Sequence, residues 1–202
     1  MFTGIIESLA KISSIQHEKS NVIFKIQSDI SSQLKVDQSL AHNGVCLTVT
    51  EIQENEHWVT AIDETMKKTN LSSWKVGNWI NLERCMPANG RFDGHFVQGH
   101  VDQIGVCSNI LDENGSWRYT IEYDPKIGNF TVEKGSICVN GISLTVIDSQ
   151  IGKFSVAIIP YTYEHTNFKG LQIGDQINLE FDVFGKYLKQ MLAVEKYLKV
   201  LK

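Results

Sequence analysis

Asn43-Gly44-Val45-Cys46-Leu47-Thr48-Val49 and Asn140-Gly141-Ile142-Ser143-Leu144-Thr145-Val146 are one phrase written twice, 97 positions apart. The offset continues outward: Thr65 falls on Thr162, Thr69-Asn70 on Thr166-Asn167, Gly77 on Gly174, and Ile80-Asn81-Leu82-Glu83 on Ile177-Asn178-Leu179-Glu180. A register held that long marks a duplicated unit. Near the start, Thr3-Gly4 and Gln98-Gly99 match at an offset of 95, which places a two-residue length change in an intervening loop. The halves are 1–86 and 95–183, with Met86-Pro87-Ala88-Asn89-Gly90-Arg91 as the link.

Within the halves, apolar residues recur at every second position: Val22, Phe24 and Ile26; Trp117, Tyr119, Ile121 and Tyr123; Phe154, Val156 and Ile158; Ile177, Leu179, Phe181 and Val183. That is the period of a half-buried strand. Asn-Gly pairs at 43–44, 114–115 and 140–141 signal tight hairpins. The pattern predicts an all-β chain of two tandem six-stranded Greek-key β-barrels, with short helical turns at Asp29–Leu34, Asp63–Asn70 and Tyr161–Asn167. After Asp182 the step changes: Phe184, Tyr187, Leu188, Met191, Leu192, Leu198 and Leu201 fall three or four apart, predicting a C-terminal α-helix over 184–202. Its apolar stripe must pack on its own barrel or on other subunits. Lys186, Lys189, Lys196, Lys199 and Lys202 fall on the opposite face, which is expected to be solvated.

Composition narrows the function. The chain has 202 residues, 42% of them hydrophobic and 21% charged, with three prolines, so it folds into one or two domains. A net charge of −4 argues against nucleic acid as a partner. No run reaches the roughly 20 apolar residues that cross a bilayer, and Met1–Ala10 lacks the parts of a signal peptide, so no membrane role and a cytoplasmic location are expected. Cys46, Cys85, Cys107 and Cys138 form no C-x-x-C pair and have no histidine in a ligand register, so no metal is expected. Cys85, Cys107 and Cys138 read as buried free thiols.

No phosphate loop, dinucleotide fingerprint or nucleophile elbow is present. What remains is two equivalent faces. Alternation puts Cys46 and Thr48 on one side of their strand and Leu47 and Val49 on the other, and Ser143 and Thr145 take the matching side in the second half. These polar side chains either line a ligand pocket or are ordinary strand residues on a solvated face. The exchange of Cys46 for Ser143 suits a reaction in which two similar molecules play different parts, with the thiol the better group to move a proton or form an adduct. His95 and His100, in Gly94-His95-Phe96-Val97-Gln98-Gly99-His100-Val101, are the acid–base candidates, each equally readable as structural. His17 and His57 are expected at the surface.

Six stretches then combine: Met1-Phe2-Thr3-Gly4-Ile5-Ile6-Glu7, Ala41-His42 running into the first Asn-Gly phrase, Asn81-Leu82-Glu83-Arg84, Gly94 through Asp102, Gly141 through Val146, and Asn178-Leu179-Glu180. Together they resemble the riboflavin synthase family of the α-chain type, from residue 1 to Lys189. The resemblance implies dismutation of two 6,7-dimethyl-8-ribityllumazine molecules, one giving a four-carbon unit to the other, to yield riboflavin and 5-amino-6-(D-ribitylamino)uracil. It implies no cofactor and no metal. It also implies a homotrimer held by the C-terminal helix, with each site between two subunits, and lumazine synthase as a partner of some members.

Carried over by motif, the resemblance gives Cys46, Ser39 and His100 to adduct formation and proton movement, and Ser143, Thr145 and Asp182 to positioning the second ring. The N-terminal pocket is expected to add Phe2, Gly4, Ile5 and Ile6, then Leu47 and Thr48, then Ile62, Asp63, Glu64 and Thr65. The C-terminal pocket is expected to add Gly99, Val101, Lys134 and Leu144, then Ile158, Ile159, Pro160 and Thr162. Asp93 stands where the family commonly has glycine, which puts a positive φ there in question. Asp63 lies where the family varies widely, which leaves its segment's contacts open. Two rival readings are a non-catalytic lumazine- or flavin-binding antenna protein, whose Asn-Gly phrase and helix are degraded where these are intact, and a flavin reductase barrel, for which no nicotinamide-binding domain remains.

Overall fold

The computed structural model describes residues 1–200, the side chains of Lys196 and Val200 apart, so Leu201 and Lys202 of the expected helix lie outside the described residues. Strands β1 (Ser8–Glu18), β2 (Asn21–Gln27), β3 (Ser39–His42), β4 (Val45–Gln53), β5 (Glu56–Ala61) and β6 (Trp79–Arg84) close into one antiparallel barrel in the order β1-β2-β5-β4-β3-β6. Strands β7 (Gln103–Asp112), β8 (Trp117–Tyr123), β9 (Ser136–Val139), β10 (Ile142–Gln150), β11 (Lys153–Ile158) and β12 (Gln176–Phe181) close into a second in the same order. Even the irregularities repeat. β1 slips register between Ile12 and Ser14 and β7 between Cys107 and Asn109, and at each slip a serine hydroxyl, Ser13 or Ser108, donates to a carbonyl of the next strand.

Period-two alternation fills each barrel with its own core. Ile12, Phe24, Ile26, Leu40, Val59 and Ile80 pack in the first, and Ile121, Val139, Phe154, Val156, Ile177 and Leu179 in the second. Burying each such side chain contributes about 1.5–3 kcal/mol. The expected helical turns form as 3-10 turns at Ser31–Gln33, Asn70–Ser73 and Asn167–Gly170 and as short helices α1 (Asp63–Lys68) and α2 (Pro160–His165). The C-terminal helix α3 runs over Val183–Val200.

The Asn-Gly turns do more than reverse the chain. Asn43 and Gly44 hold φ of 48° and 78°, and Asn140 and Gly141 hold 47° and 84°, the doubly left-handed pattern of a tight hairpin. The two hairpins meet tip to tip: a Cβ on Gly44 would lie 2.7 Å from the Gly141 nitrogen, and the converse distance is the same. Around that contact the repeated asparagines lock the barrels together. Asn81 donates its side-chain amide to the Asn140 carbonyl at 2.9 Å, and Asn178 reciprocates to the Asn43 carbonyl at 3.0 Å. Asn70 and Asn167 donate their backbone N–H groups to the Asn178 and Asn81 side chains.

Three expectations change and one open question closes. His57 is fully buried, because β5 points His57, Val59 and Ala61 inward together. Cys85 is exposed, at the end of its barrel beside the Met1 ammonium, whereas Cys107 and Cys138 are buried. Asp93 is not among the residues with positive φ, so the position does not need glycine. Two of the helix lysines are tethers: Lys186 pairs with Asp102 at 2.7 Å and Lys189 donates to the Ile127 carbonyl, both fixing α3 to the second barrel.

Candidate active site

The segments that precede the barrels cross over. Phe2 and Val97 bridge one another, after which each segment leaves its own barrel for the other's Asn-Gly hairpin. Ser143 donates its N–H to the Gly4 carbonyl at 2.8 Å, and Cys46 donates to the Gly99 carbonyl at 2.9 Å. Ile6 packs against the second core and Val101 against the first. The grouping expected from the resemblance is therefore reversed for most of these residues: Gly4, Ile5 and Ile6 run with Ser143, and Gly99 and Val101 run with Cys46, where His100 was expected. Phe2 is buried between the barrels with Ala41, Val97 and Cys138.

Two buried carboxylates hold the crossing in place. Glu83 on β6 accepts the Thr3 N–H at 2.6 Å, the Thr3 hydroxyl at 2.9 Å and the Gly4 N–H at 3.0 Å. Glu180 on β12 accepts the N–H groups of Gln98, Gly99 and His100 at 2.7, 2.9 and 3.0 Å. Burial pushes both acids up, Glu180 to about 7, against the pull of those donors. The Asn-Leu-Glu repeat thus carries a function that the sequence marked only as a register.

On the outer face of the first barrel, Cys46 and Thr48 project from β4, with Ser39 paired to Thr48 from β3. Burial pushes the Cys46 thiol up; Ser39 pulls it the other way but does not win, so the group is a thiol at neutral pH and a poorer proton carrier than expected. Ile62 is exposed and the first turn of α1 carries Asp63, Glu64 and Thr65, with Asp63 held by Lys67. His100 is exposed at the edge, its backbone fixed by Glu180.

The second barrel presents the same frame, with Ser143 and Thr145 on β10 and Ser136 paired to Thr145. Ile159 and Pro160 are exposed, Thr162 is half-buried, and Lys134 sits in a left-handed turn (φ 63°). The chemistry differs, because the Ser143 hydroxyl lies 2.7 Å from His95 Nδ1. Burial depresses the His95 pKa, with Asp182 opposing, so the imidazole is neutral and able to take the hydroxyl proton. Asp182 itself accepts the Phe184 N–H at 2.9 Å as the cap of α3. Leu47 and Ile158 point into the barrel cores and Leu144 packs half-buried on the second, so the first two can meet a ligand only through their backbone. An open cleft of about 960 Å³ between the barrels is lined by Asn43, Trp74, Trp79, Asn140 and Asn167, away from both faces.

These features define a class: a pair of fused barrels, each offering a polar outer face beside an Asn-Gly hairpin. The lumazine binding domain family model matches residues 3–85 and again 98–182. Over 193 residues, 95% of this chain and 90% of the relative, the sequence is 42% identical to the riboflavin synthase of Actinobacillus pleuropneumoniae. It is 39% identical over the same shares to that of Bacillus subtilis (strain 168), and 34% identical over 96% of this chain and 87% of the relative to that of Saccharomyces cerevisiae. The chain belongs to the riboflavin synthase family, built on two lumazine binding domains. The barrel pair also matches the crystal structure of LumP complexed with riboflavin, with a TM-score of 0.82 and 24% identity over 90% of this chain and 99% of that one, a likeness of fold.

Proposed function

We propose that this chain converts two molecules of 6,7-dimethyl-8-ribityllumazine into riboflavin and 5-amino-6-(D-ribitylamino)uracil, one ring held on each type of face. The observation that carries the reading is the repeated frame with unequal chemistry, a thiol at Cys46 against a serine–histidine pair at Ser143 and His95. Backbone amides and carbonyls at each face read the pyrimidinedione edge. The 7-methyl group of the lumazine is already acidic, because its anion delocalises into the ring. Holding the two rings at attack distance therefore supplies most of the rate, and proton transfer adds a smaller factor. Ser143 and His95 take the proton, Thr145 and Asp182 position the donor ring, and Ser39, Cys46 and His100 serve the acceptor ring as it forms the adduct. His95→Gln is expected to lower turnover about 100-fold and Cys46→Ser about 10-fold, with lumazine affinity held within about threefold. Equal losses in the two variants contradict the division of roles.

The faces become one site when chains assemble as a homotrimer. Among the described residues the stripe on α3 stays largely uncovered: Phe184, which meets only the edge of Phe96, is 61% exposed, Met191 67% and Leu198 55%. Three copies packed through these helices bring the Cys46 face of one chain against the Ser143 face of the next. A cytoplasmic location fits the free thiols, and among the described residues no helix is long and apolar enough to cross a membrane. Leu188→Glu with Met191→Glu is expected to leave a monomer by sedimentation, lumazine still bound and turnover down at least about 100-fold. A monomer that keeps full turnover contradicts the shared site.

A further inference from the structure

Inside the first barrel runs a chain of side chains that no part of the proposed chemistry uses. His42 Nδ1 lies 3.1 Å from the Leu40 carbonyl, His42 Nε2 lies 2.9 Å from His57 Nε2, and His57 Nδ1 lies 2.8 Å from the Ser31 hydroxyl. All three residues are 0% exposed. A carbonyl can only accept, so His42 Nδ1 carries hydrogen and a neutral His42 accepts at Nε2. His57 must then donate from Nε2 and accept the Ser31 hydroxyl at Nδ1. The chain is satisfied in one direction with both rings neutral. A proton on His42 Nε2 sets two N–H groups against each other across 2.9 Å, and one on His57 Nδ1 reverses Ser31 and leaves a charge with no counterion.

The duplication shows that the fold does not require these groups. At the offset of 97, His42 becomes Val139 and His57 becomes Phe154, both fully buried and apolar. We infer that Ser31, His57 and His42 form a proton-sensitive support beneath the β3–β4 hairpin that carries Ser39 and Cys46, so that acid loosens the first pocket and spares the second. Burial depresses both rings, His57 to about 4, and the charge of His57 pushes His42 down further. The strand neighbours of His42 are Val45 and Leu82, and those of His57 are Ile26 and Ile52. The charged groups on the surrounding strands face outward: Lys25 pairs with Glu56, Arg84 with Glu7, and Glu83 holds Thr3.

The sign follows from linkage. A ring whose folded pKa lies below its unfolded value of about 6.5 stabilises the fold above that pH and loses the contribution as pH falls toward about 4. Glu83 and Glu180, both raised, act in the opposite sense, and the His42→Val with His57→Phe variant separates the histidine contribution from theirs because it leaves both acids in place.

The test is amide hydrogen exchange of the intact protein, corrected for intrinsic rates, from about pH 7 to about pH 5. Opening of Ser39–Val49 is expected to rise about tenfold or more per pH unit below about 6, while the matching Ser136–Val146 stays within about threefold. An equal response in both hairpins overturns the proposal. His42→Val with His57→Phe, which copies the second barrel, is expected to flatten the acid response of the first; an unchanged response overturns it too. Should that variant not fold, the wild-type comparison decides alone. Lumazine titration over the same range extends the proposal to the pocket and rests on the proposed function. Failure to bind at any pH contradicts that function, whereas equal exchange contradicts only the histidine support.

Discussion

Gly99→Ala is expected to destabilise the protein by about 2–4 kcal/mol and to remove most turnover, the sum of left-handed strain and overpacking. Gly99 holds φ +79°, and an added Cβ would stand 2.6 Å from Cys46 Cβ and 2.9 Å from the Phe2 ring. None of these atoms is the free end of a flexible chain. The backbone must therefore lift off β4 and give up the Cys46 N–H to Gly99 carbonyl bond. Gly4→Ala repeats the effect on the other barrel, where the added atom would lie 2.6 Å from Ser143 Cβ. Gly115→Ala is the control. It shares the positive φ, at +133°, but nothing lies within 4 Å, so its cost is set by strain alone. Thermal or denaturant unfolding ranks the three, and a Gly99 variant no worse than the Gly115 variant contradicts the crossing.

Glu180→Ala is the second large effect, expected to cost about 3 kcal/mol or more, because it leaves the N–H groups of Gln98, Gly99 and His100 without their acceptor in a buried place. Since Glu180 titrates near 7 in the fold against about 4.3 unfolded, its protonation stabilises the native state in acid. That contribution is fully present below about 4.3 and is lost as pH rises through about 7. Glu180→Gln is therefore expected to flatten the descending part of the stability profile between those values, measured by denaturant unfolding across pH. A profile unchanged from wild type contradicts the assignment.

Much of the architecture was open to reading because two signals were redundant. The offset of 97 fixed the duplication, and the period of two within Val22–Ile26 or Phe154–Ile158 fixed the strands. The crossing was hidden for a physical reason. Both opening segments and both hairpins are repeated, so a segment lying on its own barrel and one lying on its neighbour produce the same local pattern. The pairing of His95 with Ser143 was hidden because the two stand 48 residues apart and meet only through the crossing. His57 was misplaced because a lone histidine on a strand reads as polar until its partners Ser31 and His42, 26 and 15 residues away, are known. The lysines of α3 were read by helical face, whereas Lys186 and Lys189 reach back to Asp102 and Ile127.

Conversion of the lumazine is the property that decides the proposed activity. The purified protein, incubated with 6,7-dimethyl-8-ribityllumazine and no metal or nucleotide, is expected to yield riboflavin and 5-amino-6-(D-ribitylamino)uracil in equal amounts, followed by absorbance and chromatography. Tight binding without either product would contradict it and leave a lumazine carrier in place of an enzyme.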